Sequence, residues 1–589
     1  MQLRCLNFFT AALAFASLCA APAIATAADI VANPTPLPQC GDNTAFFNPR
    51  LSPSIDLPGG FTASVFAAGL NMPTGIAFVG DASNFQVYIL ESGHGIPSVC
   101  NDEAAWPGGT FAADNPFTPD ILVFNKNGKQ IRGPLGKPTP DGGGFQPSGP
   151  AIDIGFVGGF SGGTLFATDS NQSTHEHNGQ NNSSRIVIVN PMTGQVTPFI
   201  NNLPTGDHPT ENLAFKDGWI YWSQGSTTNS GVVGLDNGGG NNQSDIPCQD
   251  ITLSQNVFDS GGKVMTSGYS PFGVQQPGAT VKAFFNSFTN QVRQGVCDGA
   301  ILRAPLNNPN NIQAFSWGYR NGYAIRFPPN GHPLEGGILV GEDGADERGA
   351  RPSNNAPDAL HLGRQNPDGS PDYHGWPDRF GFLPSSQAVY NPIGGTSDDL
   401  CVPDPSNPPS GCTQASLKQI LTEDVPIRDV LAGPPQQITA PLAIEAADSS
   451  FTGVDFVPGA FVGGPVQPGA VLYSLEGDFG FSPENASEPA PVVGHEVKLV
   501  NFNQSPDTPL ALKIQNFARN STGDQAFVTN INGFNRPTNV KFGPDGCAYV
   551  VDYGAVRDKG SDSHFVGDAN GPLVQIPRTG VVWKICPSR

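Results

Sequence analysis

Short stretches of alternating apolar and polar residues run along this chain, and many occur as pairs joined by a turn. In each pair, an alternating stretch ends near Phe, a Gly-containing turn follows, and a second stretch has Tyr near its start. The four clearest pairs are residues 73–93, 210–226, 451–480 and 536–554. Looser relatives are 163–170, 184–200 and 324–344. A period of two on both sides of a turn predicts β-hairpins and therefore an all-β protein.

A hairpin repeated along so long a chain cannot bury its apolar face alone. Blades arranged radially around a channel bury that face and expose little strand edge, so the repeats predict a β-propeller. The final strand, 580–585, is expected to close the ring against 61–69. Two separate β-domains are the alternative, although no clear linker divides the chain.

The predicted organisation is a signal peptide, an N-terminal extension and one propeller domain with long inserted loops. The corresponding ranges are 1–27, 28–60 and 61–589, with insertions near 100–150, 226–300, 350–440 and 480–530. Arg4, an apolar run and Ala25-Thr26-Ala27 form the pattern of a cleaved export signal. We therefore expect an exported protein, periplasmic or secreted. No later run approaches the ~18 apolar residues of a membrane span.

The cysteines fit an exported protein. Eight remain once the predicted signal peptide is removed: Cys40, Cys100, Cys248, Cys297, Cys401, Cys412, Cys547 and Cys586. An even number in an exported chain predicts disulfides, although spacing alone does not fix how they pair. Sequential pairing is the working hypothesis, because Cys401 and Cys412 would close a natural short loop.

The charge balance narrows the choice of partners. The chain carries 51 acidic and 30 basic side chains, a net charge of −21. Such a protein is a poor candidate for binding nucleic acid or an anionic membrane surface. Gly and Pro total 72 and 57, which fits many turns between short strands.

Four phrases in order resemble one enzyme family. They are "DHPTENLAFKDGWIYWSQG" (207–225), "WGYRNGYAIRF" (317–327), the acidic loop through "YHGWPD" (341–378), and "NRPTNVKFGPDGCAYVVDYG" (535–554). Together they resemble the soluble sugar dehydrogenases that use pyrroloquinoline quinone, with the glucose/sorbosone dehydrogenase group. The resemblance implies a six-bladed propeller that oxidises a sugar hydroxyl or aldehyde. It also implies a small sugar substrate and an external electron acceptor.

His208 matches the general base of that family. A neutral imidazole suits removal of a proton from a sugar hydroxyl, because its ordinary pKa lies near neutrality. The acidic group that supports this base in the family is replaced by Ser226 here. Asp207 is not expected to orient the ring, because adjacent side chains on an extended segment point to opposite faces.

The resemblance also implies a cofactor site. Arg320, Asn321 and Arg536 match positions that contact the quinone, and an arginine fork suits its carboxylates. Thr538 stands where the family has a second arginine, and the family's lysine near 474–481 is absent.

Calcium is the second implied cofactor. The resemblance places the bridging ion on the carbonyls of Gly344 and Ala345, with Asp358 matching an acidic position of a second site. Carboxylates and free carbonyls are hard ligands suited to this ion. A solvated acidic turn is the alternative interpretation of the same loop.

Other functions stay open. A non-catalytic propeller that binds carbohydrate or protein is favoured by Thr538, Ser226 and the missing lysine. A calcium-dependent propeller lactonase would need a deep acidic cluster with Asn ligands, which the sequence does not locate. His175 and His177 could bind a metal if they shared one face of a strand.

Overall fold

The computed structural model describes residues 29–31, 45–47, 53–95, 101–159, 163–172, 180–234, 239–260, 263–346, 350–351, 353, 356–382, 428–477, 493–505, 508–521, 533–558 and 573–588. The predicted signal peptide, the His175/His177 pair and four of the cysteines lie outside these residues.

Six sheets of four or five strands form the blades, numbered here in chain order. Blade 1 contains Pro73–Asp81, Asn84–Glu91, Asp120–Asn125 and Gln130–Leu135. Blade 2 contains Ile154–Val157, Thr164–Asp169, Ser184–Val189 and Val196–Leu203. Blade 3 contains Thr210–Lys216, Trp219–Gln224, Ala300–Pro305, Gln313–Trp317 and Asp372–Tyr373.

The outermost pair of blade 3 is parallel, whereas the strand pairs of the remaining blades are antiparallel. Blade 4 contains Asn321–Arg326, Ile338–Asp343, Ala359–Gly363 and Ala443–Ile444. Blade 5 contains Phe451–Phe456, Val471–Leu475, Glu496–Ser505, Thr508–Asn520 and Ile55–Asp56. Blade 6 contains Pro537–Phe542, Ala548–Asp552, Gly580–Pro587 and Phe61–Leu70. The prediction of a six-bladed, all-β propeller is confirmed.

Five short strand pairs and three 3₁₀ turns complete the described secondary structure. The pairs are Asp29–Val31 with Ala45–Phe47, Ile251–Thr252 with Thr280–Val281, Phe258–Asp259 with Met265–Thr266, Phe285–Asn286 with Gln291–Val292, and Val556–Asp558 with Leu573–Gln575. The 3₁₀ turns are Glu103–Ala105, Gly239–Asn241 and Gly459–Phe461.

The two ends of the propeller sequence meet in blade 6. Phe61–Leu70 pairs antiparallel with Gly580–Pro587, with Leu70 opposite Gly580 and Phe61 opposite Pro587. The predicted ring closure is thereby confirmed. The first strands of neighbouring blades lie side by side around the channel.

Among the described residues, six apolar clusters lie one between each pair of neighbouring blades. A smaller cluster contains Met72, Phe117, Tyr553 and Val556. A single strand serves two of the six clusters, because successive side chains point to opposite faces. In Asn84–Glu91, Val87 and Ile89 pack toward blade 6, whereas Tyr88 and Leu90 pack toward blade 2. Burial on both faces makes these second strands almost continuously hydrophobic.

Turn chemistry fixes the register of the hairpin that follows His208. Lys216 pairs with Trp219, so Asp217 and Gly218 form a two-residue turn. Both have positive φ, 51° and 80°. This conformation matches strand twist and favours Asp-Gly.

Two disulfides link described cysteines, Cys248–Cys297 and Cys547–Cys586. Both follow the sequential pairing, which is confirmed for these four residues. Cys248–Cys297 closes the long insertion of blade 3, and Cys547–Cys586 lies in blade 6.

Candidate active site

Every blade presents the start of its first strand and the end of its second strand at the same end of the channel. Asn321 pairs with Asp343, and Pro537 pairs with Asp552. In blade 1, the corresponding second-strand residue is Glu91. Acidic residues at equivalent positions of different blades therefore gather at one end, called the acidic end below.

His208 lies in a bend immediately before blade 3, at the acidic end. Its Nδ1 is 3.3 Å from Oδ2 of Asp207, and its side chain is 18% exposed. The expectation that Asp207 points away is wrong, because residues 206–208 form a bend and not an extended strand. The backbone N–H of His208 donates to the Ser226 carbonyl at 3.0 Å.

Gly225 allows His208 to come close to blade 4. A Cβ at Gly225 would lie 2.2 Å from Cβ of His208 and 3.2 Å from Oδ1 of Asn321. Any larger residue would displace the histidine. His208 and Asn321 therefore both lie next to the position that a side chain at Gly225 would occupy.

Arg320 is buried at the junction of blades 3 and 4. Its Nη2 donates to Asp346 at 2.6 Å and to Asp207 at 3.2 Å, and its Nη1 donates to the Gly344 carbonyl at 2.7 Å. Asp207 thus contacts both the histidine and the arginine. The guanidinium of Arg320 thus donates hydrogen bonds to two carboxylates and one carbonyl of the protein itself.

Asn321 sits between two carboxylates. Its Nδ2 donates to Oδ2 of Asp343 at 3.0 Å. The amide also lies close enough to Glu211 to lower the pKa of that carboxyl against the effect of burial. Glu211 and Asn321 are 1% and 2% exposed. We call Glu211, Asn321 and Asp343 the amide–carboxylate cluster.

The predicted calcium residues form a backbone anchor. Oδ1 of Asp358 accepts the N–H of Gly344 at 2.7 Å, and its Oδ2 accepts the N–H of Ser450 at 2.6 Å. Asp358 therefore ties the loop of Gly344 and Ala345 to blade 5. Burial and the charge of Asp448 raise the pKa of Asp358 to about 8, against the hydrogen bond from Gly344.

Arg536 is buried at the start of blade 6, at the same end of the channel. Its Nη1 donates to the Gly477 carbonyl at 3.0 Å, and its backbone N–H donates to Asp552 at 2.8 Å. Glu476, within 474–481, lies close enough for the arginine charge to lower its pKa. Burial nevertheless raises the pKa of Glu476 to about 7. Thr538 hydrogen-bonds the Pro73 carbonyl at 3.0 Å, linking blades 6 and 1.

The carboxyls of the acidic end are harder to ionise than ordinary ones. Burial raises the pKa of Glu211 well above its usual range, and Arg320 opposes this shift. Burial raises the pKa of Asp343 well above its usual range, and Asp358, Glu211 and Glu476 add to the rise. Placing further negative charge here is therefore unfavourable.

A buried chain of four titratable groups runs outward from Arg320. The Arg320 N–H donates to Oε1 of Glu342 at 2.7 Å, and Oε2 of Glu342 lies 2.7 Å from Nε2 of His361. The two imidazoles meet through their Nδ1 atoms at 3.1 Å, and His374 reaches Asp372 at 3.1 Å. Burial lowers the pKa of His374 despite Asp372.

The structure brings five of the predicted residues, His208, Arg320, Asn321, Gly344 and Asp358, into one network at blades 3 and 4. Arg536 lies on blade 6 at the same end. Sequence reasoning missed the roles of Glu211, Glu476 and the two histidines 361 and 374. One pattern could have found the acidic end, because the second strand of a pair often closes on an acid, as in "ILES", "ATDS", "GEDG" and "VVDY".

Among the described residues, no group of three or more His, Cys, Asp or Glu side chains forms a metal site. Within the same residues, no helix is long and apolar enough to cross a membrane.

No protein-family model and no curated protein matches the chain. The fold is similar to the PQQ domain of a Coprinopsis cinerea pyranose dehydrogenase (holo form), with 13% identity over 90% of this chain and 97% of that one, TM-score 0.44. It is also similar to the soluble aldose sugar dehydrogenase of Escherichia coli (apo-form), with 11% identity, 90% and 100% coverage and TM-score 0.43.

A gluconolactonase from Xanthomonas campestris is similar with 8% identity, 95% and 98% coverage and TM-score 0.34. The family that the sequence resembles is thus found among proteins of similar fold. At these identities and scores, the similarity decides nothing about the activity.

Proposed function

We propose that this chain is an exported enzyme that removes a proton from a small sugar at the acidic end of its propeller, with His208 as general base. The 3.3 Å contact between Nδ1 of His208 and Asp207 supports this proposal most directly, because a nearby carboxylate stabilises the imidazolium that forms when the base takes a proton. Partial exposure of His208, among buried neighbours, is what a base that meets a substrate requires.

Oxidation of a sugar hydroxyl or aldehyde is the reaction that the sequence resemblance implies. For a hydroxyl, Nε2 of His208 is the atom to which we assign the proton. Asp207 would hold the ring and stabilise the imidazolium while Arg320 fixes Asp207. Oxidation also removes a hydride from the carbon that bears the hydroxyl, and this hydride needs an acceptor.

The residues present do not fit a tricarboxylate quinone as that acceptor. Arg320 is neutralised by Asp207 and Asp346, and Glu476 stands opposite Arg536. Glu211 and Asp343 add buried carboxyls with raised pKa values. A site in which buried negative charge is this unfavourable would not stabilise the three carboxylates of the quinone.

The predicted calcium position fits no better. The Gly344 carbonyl accepts a hydrogen bond from the Arg320 guanidinium at 2.7 Å. A divalent ion on that carbonyl would lie against a positive charge.

Hydrolysis of a sugar lactone is the second candidate, favoured by the amide–carboxylate cluster beside His208. It needs only water, from which His208 would take a proton as the oxygen attacks the lactone carbonyl. The same proton would then pass to the alkoxide released when the ring C–O bond breaks.

Two assays on the purified protein separate these functions. One follows dye-linked oxidation of a sugar panel, alone, with Ca²⁺, and with the quinone plus Ca²⁺. The other follows acid release from sugar lactones. We expect the protein to show either sugar oxidation or lactone hydrolysis. We expect His208→Ala to lower that activity roughly 100-fold or more. His332→Ala is the matched control, because His332 lies in the loop at the other end of blade 4.

Activity that survives His208→Ala in a folded protein would contradict the proposal. Absence of both activities, with sugar binding retained, would favour the non-catalytic propeller. Oxidation that requires the quinone would contradict the charge argument above.

A further inference from the structure

Two buried histidines, His361 and His374, form a chain with two carboxylates behind Arg320. Nε2 of His361 lies 2.7 Å from Oε2 of Glu342, and Nε2 of His374 lies 3.1 Å from Oδ2 of Asp372. The two Nδ1 atoms face each other at 3.1 Å. All four ring nitrogens are thus within hydrogen-bond distance of another titratable group. We call Glu342, His361, His374 and Asp372 the imidazole chain.

The imidazole chain joins two blades. Glu342 and His361 belong to the second and third strands of blade 4, whereas Asp372 belongs to the outermost strand of blade 3 and His374 follows it. The contact between the two rings is therefore a contact between blades. His361 and His374 are 2% and 3% exposed, so bulk water cannot replace a missing partner.

The chain requires three hydrogens, because each of its three contacts needs one between the two heavy atoms. Two ionised carboxylates supply none. Two neutral imidazoles supply two, since a neutral ring carries a single N–H. One contact would then bring two acceptors together without a hydrogen, in a buried place where this is costly. The geometry therefore calls for a third proton.

The carboxyls of the chain are poor places for that proton. Oε1 of Glu342 accepts the backbone N–H of Arg320 at 2.7 Å, and Oδ1 of Asp372 accepts the backbone N–H of Arg364 at 3.1 Å. Hydrogen bonds of this kind favour the ionised form of a carboxyl. The third proton therefore belongs on an imidazole.

Of the two rings, His361 is better placed to carry both hydrogens. Burial lowers the pKa of His374, and the charge of His361 adds to this effect, although Asp372 opposes it. His361 would then donate to Glu342 and to His374, while His374 donates to Asp372. Tyr319, whose ring stacks on His374 at 4.6 Å, adds no charge, because burial and Asp372 raise its pKa well above its usual range.

We propose that the imidazole chain binds one proton more than two neutral imidazoles carry, and that this proton ties blade 3 to blade 4 behind Arg320. Three ring hydrogens then serve three contacts, and the buried negative charge of the two carboxylates is halved. Loss of the proton makes one contact repulsive, so the junction of the two blades weakens as the pH rises. The inference does not rest on the proposed function, because no substrate enters it.

Two substitutions at opposite ends of the chain remove the need for the third proton. In Glu342→Gln the new amide can donate its own hydrogen to His361, and in Asp372→Asn the new amide can donate to His374. Either change lets all three contacts form between neutral imidazoles. Both changes keep an oxygen to accept the backbone N–H.

Urea unfolding between about pH 7 and pH 9 tests the inference, because histidines of the unfolded chain are mostly neutral there. A folded state that binds one more proton than the unfolded chain loses stability as the pH rises. Relative to Glu342→Gln and to Asp372→Asn, the unfolding equilibrium constant of the wild type should therefore rise about tenfold per pH unit. Tyr319→Phe is the matched control: it changes a side chain that packs on the same ring but removes no proton of the chain, so its pH dependence should equal that of the wild type.

Nuclear magnetic resonance of protein with isotope-labelled histidine rings counts the hydrogens directly. Nitrogen chemical shifts distinguish ring nitrogens that carry hydrogen from those that do not. Magnetisation transfer between the two facing rings identifies their signals in the wild-type protein, so this readout does not depend on a variant that folds. We expect three protonated nitrogens in the wild-type chain and two in Glu342→Gln.

Three results would overturn the inference. One is a wild-type chain with only two protonated ring nitrogens. Another is a wild-type pH dependence equal to that of both folded amide variants. The third is a changed pH dependence in Glu342→Gln but not in Asp372→Asn, which would assign the effect to the charge of Glu342 and not to a shared proton.

Discussion

Asp207 contacts two basic groups, the imidazole of His208 and the guanidinium of Arg320. Neighbouring residues share a face here because a bend, rather than a strand, carries them. On the proposed function, Asp207 would supply from the adjacent position the carboxylate that the resembling family supplies from beyond the next strand.

Asp207→Asn should reduce the proposed activity by roughly 10–100-fold, because the amide cannot stabilise an imidazolium. Measured kcat and KM would separate this effect from substrate binding: we expect the loss in kcat. Asp346→Asn is the control, since Asp346 is the second carboxylate that pairs with Arg320. Equal losses in both variants would assign Asp207 to Arg320 alone.

The sequence predicted part of this site. His208, Arg320 and Asn321 could be found because they stand in recognisable phrases. Glu211 and Glu476 could not be found in this way, because their place in the site depends on which blades face each other across the channel. Asp207 was misjudged for a local reason, since the prediction assumed an extended backbone at a turn.

At the scale of elements, the long insertion of blade 3 is joined to its blade by buried acids as well as by Cys248–Cys297. Asp245 accepts hydrogen bonds from the N–H and hydroxyl of Thr228, at 2.9 and 2.6 Å. Burial raises the pKa of Asp245 to about 6, and burial together with the charge of Asp245 raises that of Asp298 well above its usual range. This junction is therefore most stable when the pair of Asp245 and Asp298 keeps a proton.

The stability of the protein should therefore depend on the ionisation of Asp245. Its pKa is higher in the folded state than the ordinary 3.8, so its stabilising contribution is complete below about pH 4. That contribution is lost as the pH rises through about 6. Asp245→Asn should gain roughly 1–3 kcal/mol relative to wild type between about pH 4 and pH 8.

Urea unfolding at several pH values measures this difference. Asp250→Asn is the control in the same insertion, because Asp250 is exposed and its hydrogen bond with Lys282 lowers its pKa. The control should show no such gain. A pH-independent difference for Asp245→Asn would contradict the explanation.

The hairpins themselves were predictable because a period of two and a Gly-containing turn are local signals. The register of "KDGW" follows from its Asp-Gly turn alone. The outermost strand of blade 4, Ala443–Ile444, is only two residues long and follows a long insertion, so no local pattern marks it.

For the whole molecule, stability depends on closing the ring. Phe61–Leu70 is the outermost strand of blade 6, and its residues also enter the clusters shared with blades 5 and 1. Deleting residues 53–70 should therefore abolish cooperative unfolding of the entire propeller, and not only loosen one blade.

Circular dichroism and thermal melts test this expectation, with a chain that begins at residue 53 as the control. We expect the control to melt in one transition. A deletion variant that retained a sharp transition near that of the control would show that the last three strands of blade 6 suffice.

The meeting of both chain ends in one blade has a consequence for how the protein reaches its native state. Phe61–Leu70 can pair with Gly580–Pro587 only after that late strand has been synthesised, so blade 6 cannot be completed before then. On the proposed export, this delay would be an advantage, because a channel that threads unfolded polypeptide needs the chain to remain unfolded. Joining the two termini and opening the chain between other blades would remove the delay, and such a circular permutant should fold before it can be exported.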